Sequence, residues 1–277
     1  MIIDAHQHFW RLDDAGRDWP TSDLAPIFRD FCPDDLAPLL YDHGVAATVL
    51  VQSMECEGET LRLLALADRT PWIAGVVGWT DLKATDAAQR IAHLAQHRKL
   101  RGLRPMLQAL EDDQWIDDKA LDPAVDAMLA AGLTFDALVT PRHLRPLLAF
   151  ARRHSTLPIV IDHAGKPAIA SGTPGEWGAD LARLAALPNV HCKLSGLVTE
   201  AGPGWTVDDL QPCVRQVFAC FGPQRVLWGS DWPVLNLSSD YAAWLGATRE
   251  LLAYLDSRER AAVFGGNARR IYRLADE

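Results

Sequence analysis

Apolar residues along this chain fall into two kinds of run that take turns. Short, nearly continuous runs, such as Ala47-Thr48-Val49-Leu50-Val51 and Pro158-Ile159-Val160-Ile161, read as strands buried on both faces, as in a parallel sheet. Strands are predicted over residues 2–9, 45–53, 73–80, 100–107, 134–140, 158–165, 190–197 and 225–233. Between them, apolar residues recur at helical spacing. Residues 59–69 place Leu61, Leu64 and Ala65 on one face, and residues 84–97 do so with Ala88, Ile91 and Leu94. Residues 141–154 open on a proline suited to a first turn and end basic, which complements the helix dipole. Residues 208–221 stop at Gly222-Pro223, a helix terminator.

Eight strands alternating with helices in 277 residues fit an α/β protein of one domain, 1–277, folded as a (β/α)8 barrel with C-terminal helices. An open doubly wound sheet is the runner-up, weakened because no glycine-rich phosphate loop follows the first strand. A barrel demands that functional polar residues gather at the C-terminal ends of its strands. They do so here. The first strand ends with His6 and His8 and the second with Gln52; the fourth carries Arg104. The sixth ends in Asp162-His163-Ala164-Gly165-Lys166, the seventh carries Lys193 and Ser195, and the eighth ends in Gly229-Ser230-Asp231-Trp232-Pro233.

Composition narrows the partners. Hydrophobic residues make up 49% and charged residues 23%, ordinary for a globular protein. A net charge of −9 argues against nucleic acid, whose phosphates need basic patches. No apolar run is long enough to cross a bilayer, so no membrane partner is expected. The 5 cysteines are scattered without a CxxC pair, and no basic leader precedes the first strand. The expectation is a cytoplasmic protein; the sequence is silent on its oligomeric state.

The chemistry starts from His6 and His8. Strand positions two apart share a face, so these imidazoles project together and can grip one divalent ion or one substrate oxygen. Asp231 can take a proton from water and hand it on. Lys193 and Arg104 are fixed cations that either stabilise a developing oxyanion or form structural ion pairs. If His163 faces the mouth, strand alternation turns its neighbour Asp162 towards the helices. Ser195 lacks a GxSxG elbow and reads as a hydrogen-bonding residue, with Gln52 beside the substrate. Of 10 tryptophans, Trp10, Trp79 and Trp232 lie near strand ends, where flat faces suit sugar rings and deoxy methyl groups.

Four motifs, Asp4-Ala5-His6-Gln7-His8-Phe9-Trp10, Asp162-His163-Ala164-Gly165-Lys166-Pro167, Cys192-Lys193-Leu194-Ser195-Gly196-Leu197 and Gly229-Ser230-Asp231-Trp232-Pro233, occur in this order. Together they resemble the amidohydrolase superfamily, and within it the sugar-lactonase branch of L-fuconolactonases, L-rhamnonolactonases and pyrone-dicarboxylate lactonases. The resemblance implies a distorted barrel hydrolysing a small sugar lactone at its C-terminal mouth. It aligns His6, His8 and Asp231 with metal and water-activating positions, and His163 with the sixth-strand histidine. Binuclear members add a fourth-strand lysine and a fifth-strand histidine; Arg104 and Phe135-Asp136-Ala137 stand there instead, so at most one ion is expected. The branch often carries a histidine after that arginine, where this chain has Pro105. Zinc suits the ligand set of His6, His8 and Asp231, with His163 as a further ligand. The resemblance also covers lactonases that work without metal, so its requirement stays open. L-fucono- or L-rhamnono-lactone is the expected substrate, with L-galactono-lactone a weaker neighbour. A metal-dependent decarboxylase, a pyrone-dicarboxylate lactonase and a non-catalytic binding barrel are the alternatives.

Overall fold

The structure, a computed structural model, describes residues 1–172 and 175–275. Its strands are β1 (Ile2–Gln7), β2 (Val45–Val51), β3 (Ile73–Gly78), β4 (Leu100–Leu103), β5 (Thr134–Ala137), β6 (Ile159–Ile161), β7 (Val190–Leu194) and β8 (Val226–Trp228). All are parallel, and each lies beside its predecessor. Beyond β8 the chain returns to β1. The Asp231 N–H donates to the His6 carbonyl at 2.8 Å, and the His8 N–H donates to the Trp232 carbonyl at 2.8 Å. The expected (β/α)8 barrel is the fold.

The helices between strands are α1 (Pro33–His43), α2 (Glu57–Arg69), α3 (Ala87–Leu94), α4 (Asp122–Ala131), α5 (Leu144–Arg153) and α6 (Trp177–Ala185). Two more, α7 (Leu197–Ala201) and α8 (Val207–Phe221), link β7 to β8; α9 (Tyr241–Leu251), α10 (Ser257–Ala261) and α11 (Asn267–Ile271) follow β8. In α5 the buried residues Leu144, Leu147, Phe150 and Ala151 form one stripe against the barrel. No helix among the described residues is long and apolar enough to cross a membrane.

Every strand ends before its predicted run does, because the residues at its C-terminal tip leave the ladder to form the loops of the mouth. The clearest case is β6. It stops at Ile161, and Asp162–Gly165 forms a 3-10 turn in which His163 and Ala164 take left-handed φ angles of 53° and 52°.

Two apolar cores result. The larger fills the space between strands and helices. The smaller lies inside the barrel, where Ile3, Val49, Val77, Val160 and Leu227 come from strands around the ring and meet Ala268, Ile271, Tyr272 and Leu274. The C-terminal segment therefore plugs the lower end of the barrel. Asn267 holds it there, donating from Nδ2 to the carbonyls of Val226 at 2.7 Å and Pro223 at 2.8 Å. Polar residues sit above that plug, so the barrel has a dry floor and a charged ceiling.

His191 lies two residues before Lys193 on the same strand face, buried, with no hydrogen-bond partner for Nδ1 among the described residues. Burial, helped by Arg270 and Arg225, pushes its pKa from the ordinary 6.5 down to about 3. The unfolded chain therefore binds this proton more readily than the folded one. The stability of the neutral ring is complete above about pH 6.5 and is lost as pH falls towards about 3, by at most about 1.4 kcal/mol per unit. In His191→Leu, the melting midpoint should decline less between pH 7 and pH 4 than in wild type. Parallel declines would show that His191 does not limit acid stability.

Candidate active site

The mouth is built first by joining the ends of the chain. Asp4 is buried beneath it and accepts from the His6 N–H at 3.1 Å, the Ser230 N–H at 2.8 Å and the Tyr241 hydroxyl at 3.0 Å. Burial pushes its pKa up to about 6, against the pull of those hydrogen bonds. Gly229 completes the seam, since a Cβ there would lie 2.8 Å from His6 Cβ and 3.0 Å from His6 N. The first and eighth strand tips thus approach as closely as backbone allows.

Four side chains converge above this seam. Asp231 Oδ1 lies 3.4 Å from His8 Nε2, 3.6 Å from His6 Nε2 and 3.9 Å from His163 Nε2, and the two first-strand Nε2 atoms are 3.1 Å apart. His8 Nδ1 donates to the Val51 carbonyl at 2.8 Å, so its Nε2 is the atom turned towards Asp231. His163 Nδ1 is held by the Ser195 hydroxyl at 2.9 Å. Burial pushes the His163 pKa down to about 4. The Asp231 backbone has a left-handed φ of 62°, which aims its carboxylate at the cluster. Burial alone would raise the Asp231 pKa; His163 and the other imidazoles reverse this and hold it well below the usual carboxylate range. At neutral pH the site pairs a carboxylate with a neutral His163.

Below lies a network of buried charges. The Lys193 ammonium is 2.8 Å from Asp136 Oδ2, 2.8 Å from Asp162 Oδ1 and 3.1 Å from His6 Nδ1. Burial would strip its proton, but Asp136 and Asp162 more than offset this and raise its pKa. Arg104 Nη1 reaches Asp162 Oδ2 at 3.3 Å. Its Nε and Nη2 clasp Gln52 Oε1 at 3.0 and 2.7 Å, and Nη2 also donates to the Gln52 carbonyl. Gln52 Nε2 returns a bond to the Arg104 carbonyl at 3.1 Å.

An ammonium only donates, so Lys193 gives a hydrogen to His6 Nδ1, and in the neutral ring the other hydrogen sits on Nε2, at the mouth, with His8 Nε2 as its acceptor at 3.1 Å until a substrate oxygen takes that place. The residues also fit a divalent ion. Among the described residues His6, His163 and Asp231 form a group with ligand atoms within 4.8 Å of one another. The 3.1–3.9 Å spacings, His8 included, bracket the edge of about 3.3 Å expected for tetrahedral bonds of 2.0–2.1 Å. To ligate through Nε2, His6 would carry its hydrogen on Nδ1. Asp162 Oδ1, 3.5 Å away and without a well-directed hydrogen bond, is the acceptor for it.

One expectation is corrected. Asp162 does not face the helices; it lies inside the barrel against Lys193, His6 and Arg104. Strand alternation stops at Ile161, and the left-handed turn brings Asp162 and His163 to the same side. Of the three tryptophans, Trp10 and Trp232 are 2% and 3% exposed. Trp10 packs on Trp19 and Phe31, and Trp232 on Phe9 and Phe31. Trp79 is half-buried at the rim, its backbone fixed by the Thr60 hydroxyl. Sequence reasoning missed Asp136, Asp4 and Tyr272. An aspartate inside the apolar run Phe135-Asp136-Ala137 was a usable signal; Tyr272, just past the last helix, carried none.

Comparison with known proteins bears on this arrangement. The amidohydrolase family model matches residues 3–274. An L-fucono-1,5-lactonase of Burkholderia ambifaria is 55% identical over 276 residues, 98% of this chain and 95% of that protein. Another from Burkholderia multivorans is 40% identical over 288 residues, 100% of this chain and 97% of that protein. A crystal structure of an amidohydrolase from Burkholderia multivorans with bound Zn is 40% identical and superposes with a TM-score of 0.93, covering 99% of this chain and 100% of that one.

Gly196 faces His163 across the mouth. Its φ is +66°, and a Cβ there would lie 2.6 Å from His163 Nδ1. Gly196→Ala should displace that ring and lower hydrolytic turnover by about 10²-fold, with an unchanged far-ultraviolet dichroism spectrum. Undiminished turnover would show that His163 need not occupy this position.

Proposed function

The chain belongs to the amidohydrolase family, and from that membership we propose that it hydrolyses the lactone of an L-sugar acid, L-fucono-1,5-lactone first, to the open aldonate. One observation carries the chemistry: a buried carboxylate, Asp231, facing imidazole nitrogens of His6, His8 and His163 at 3.4–3.9 Å. The substrate class rests on the relatives that are L-fucono-1,5-lactonases. L-rhamnono-lactone is a further substrate, and L-galactono-lactone a poorer one. One methyl contact is worth only about 1–3 kcal/mol, so discrimination among them is modest.

In this reading Asp231 accepts a proton from water as the water oxygen attacks the lactone carbonyl. His163 and the His6 Nε2–H donate hydrogen bonds to the carbonyl oxygen, which gains charge as the tetrahedral adduct forms. When the adduct collapses, the carbonyl carbon parts from the ring oxygen, and Asp231 returns its proton to that alkoxide. Water has then been added across the ester, and Asp231 is a carboxylate again. Lys193 and Arg104 act from beneath by holding His6 and Asp162. Ser195 orients His163, and Gln52 orients Arg104.

His6, His8 and Asp231, with His163 as a further ligand, would hold one divalent ion, and zinc matches the donor types. Bound there, the ion would polarise the carbonyl and lower the pKa of a coordinated water. The reading treats 1–277 as one working domain and assigns it to the cytoplasm, where its free cysteines stay reduced.

Purified protein should acidify a weakly buffered solution of L-fucono-1,5-lactone without releasing carbon dioxide. Asp231→Asn should lower kcat by about 10²–10⁴-fold with unchanged melting. Carbon dioxide from an aromatic acid, or turnover of a pyrone dicarboxylate alone, would replace the substrate assignment. A wild-type rate in Asp231→Asn would remove the proposed base. Metal analysis should find no more than one ion per chain, and two tightly held ions would overturn the single-site reading. Turnover that survives complete chelation would assign carbonyl polarisation to the imidazoles alone.

A further inference from the structure

The C-terminal plug does more than fill space. Tyr272, at the end of α11, is 1% exposed and extends its hydroxyl into the charged layer, donating to Asp136 Oδ2 at 2.6 Å. Burial, reinforced by Asp136, keeps that phenol protonated by raising its pKa well above the ordinary 10.0, so it is a donor throughout the physiological range. The same Asp136 oxygen is 2.8 Å from the Lys193 ammonium, and the other accepts from the Thr134 hydroxyl at 3.0 Å. The Tyr272 ring lies 5.5 Å from the Lys193 nitrogen.

The count of donors is informative. Lys193 has three ammonium hydrogens and three neighbouring acceptor atoms: Asp136 Oδ2 and His6 Nδ1, which it hydrogen-bonds, and Asp162 Oδ1, with which it forms an ion pair at 2.8 Å without a well-directed hydrogen bond. Two are carboxylate oxygens, each a stronger attractor than an imidazole nitrogen. Left alone, the ammonium would be drawn towards the carboxylates and away from His6. By occupying Asp136 Oδ2, the Tyr272 hydroxyl weakens one of these pulls and fixes where that carboxylate sits.

We propose that Tyr272 is a positioning residue for the lactone-opening reaction, holding the Asp136–Lys193 pair so that the ammonium donates to His6 Nδ1 and the Nε2–H of His6 is presented to the substrate carbonyl. The proposal rests on the hydrolytic role given to His6 above, in which its Nε2 carries a hydrogen and ligates no ion. It makes the floor of the barrel part of the catalytic apparatus, without Tyr272 touching substrate.

Tyr272→Phe removes only the hydroxyl and keeps the ring in the plug. In this variant kcat for L-fucono-1,5-lactone should fall by about 10–100-fold with KM unchanged, the scale of losing a supporting hydrogen bond behind a site residue. In a Lys193→Met background, where the path to His6 is cut, the same substitution should cost no further rate. Histidine-selective nitrogen NMR of the chelated protein supplies a second readout. His6 should carry its hydrogen on Nε2 in wild type and show a mixture of tautomers in Tyr272→Phe. Equal rate losses in the Lys193 and Lys193→Met backgrounds, or an unmoved His6 signal, would overturn the proposal and leave Tyr272 as packing. Should wild type open no lactone at all, the substrate reading fails, and the NMR comparison still decides the role of Tyr272.

Discussion

The structure depends on keeping one ammonium ion dry. Lys193 sits at the centre of the barrel with no exposed surface, and its charge is tolerable only because Asp136 and Asp162 flank it at 2.8 Å. Arg104 then balances the second carboxylate. Two cations and two anions thus occupy a space where any one alone would cost several kcal/mol to bury. The order in which strands present these residues is dictated by register. Ile161 pairs with Cys192, so Asp162 emerges level with Lys193, and Asp136 pairs with Val160 on the adjoining strand.

That balance lets three carboxylates within one site differ. Asp162, despite its burial, is held well below the ordinary range by Lys193, with His6 and Arg104 adding to the effect. Asp136 is pushed up by burial against the pull of Lys193, with Asp162 pushing the same way. Asp231 faces imidazoles, stands clear of the lysine and carries the lowered pKa of an ionised group. Two carboxylates are committed to charge neutrality. The third stands ionised at the mouth among imidazoles, a difference set by which cation each one faces.

The alternation of apolar runs was enough to read the eight strands and the barrel, because parallel strands buried on both faces leave a periodic trace in the sequence. His6 and His8 were readable because a strand places residues two apart on one side. Asp162 was misread for the same reason: the period-two rule was carried past Ile161, where the backbone turns left-handed. Tryptophans near strand ends suggested a sugar platform, yet Trp10 and Trp232 wedge the long segment after β1 against the barrel. Proximity to a strand end says nothing about which way an indole ring turns. The pairing of Tyr272 with Asp136 joins distant parts of the chain and has no local pattern to announce it.

The seam between β1 and β8 has a consequence for how this protein comes into being. His6 and Asp231 belong to one cluster, but they lie on segments more than two hundred residues apart that backbone bonds bring together. During synthesis the first strand emerges early and waits for its partner. Until β8 arrives, the His6 carbonyl lacks the Asp231 amide, and Asp4 lacks the Ser230 amide and the Tyr241 hydroxyl. A chain arrested before its eighth strand would own the imidazoles without the Asp231 carboxylate, and contacts of such long sequence separation are slow to form. Ring closure and the gathering of the imidazole–carboxylate cluster are therefore a single event.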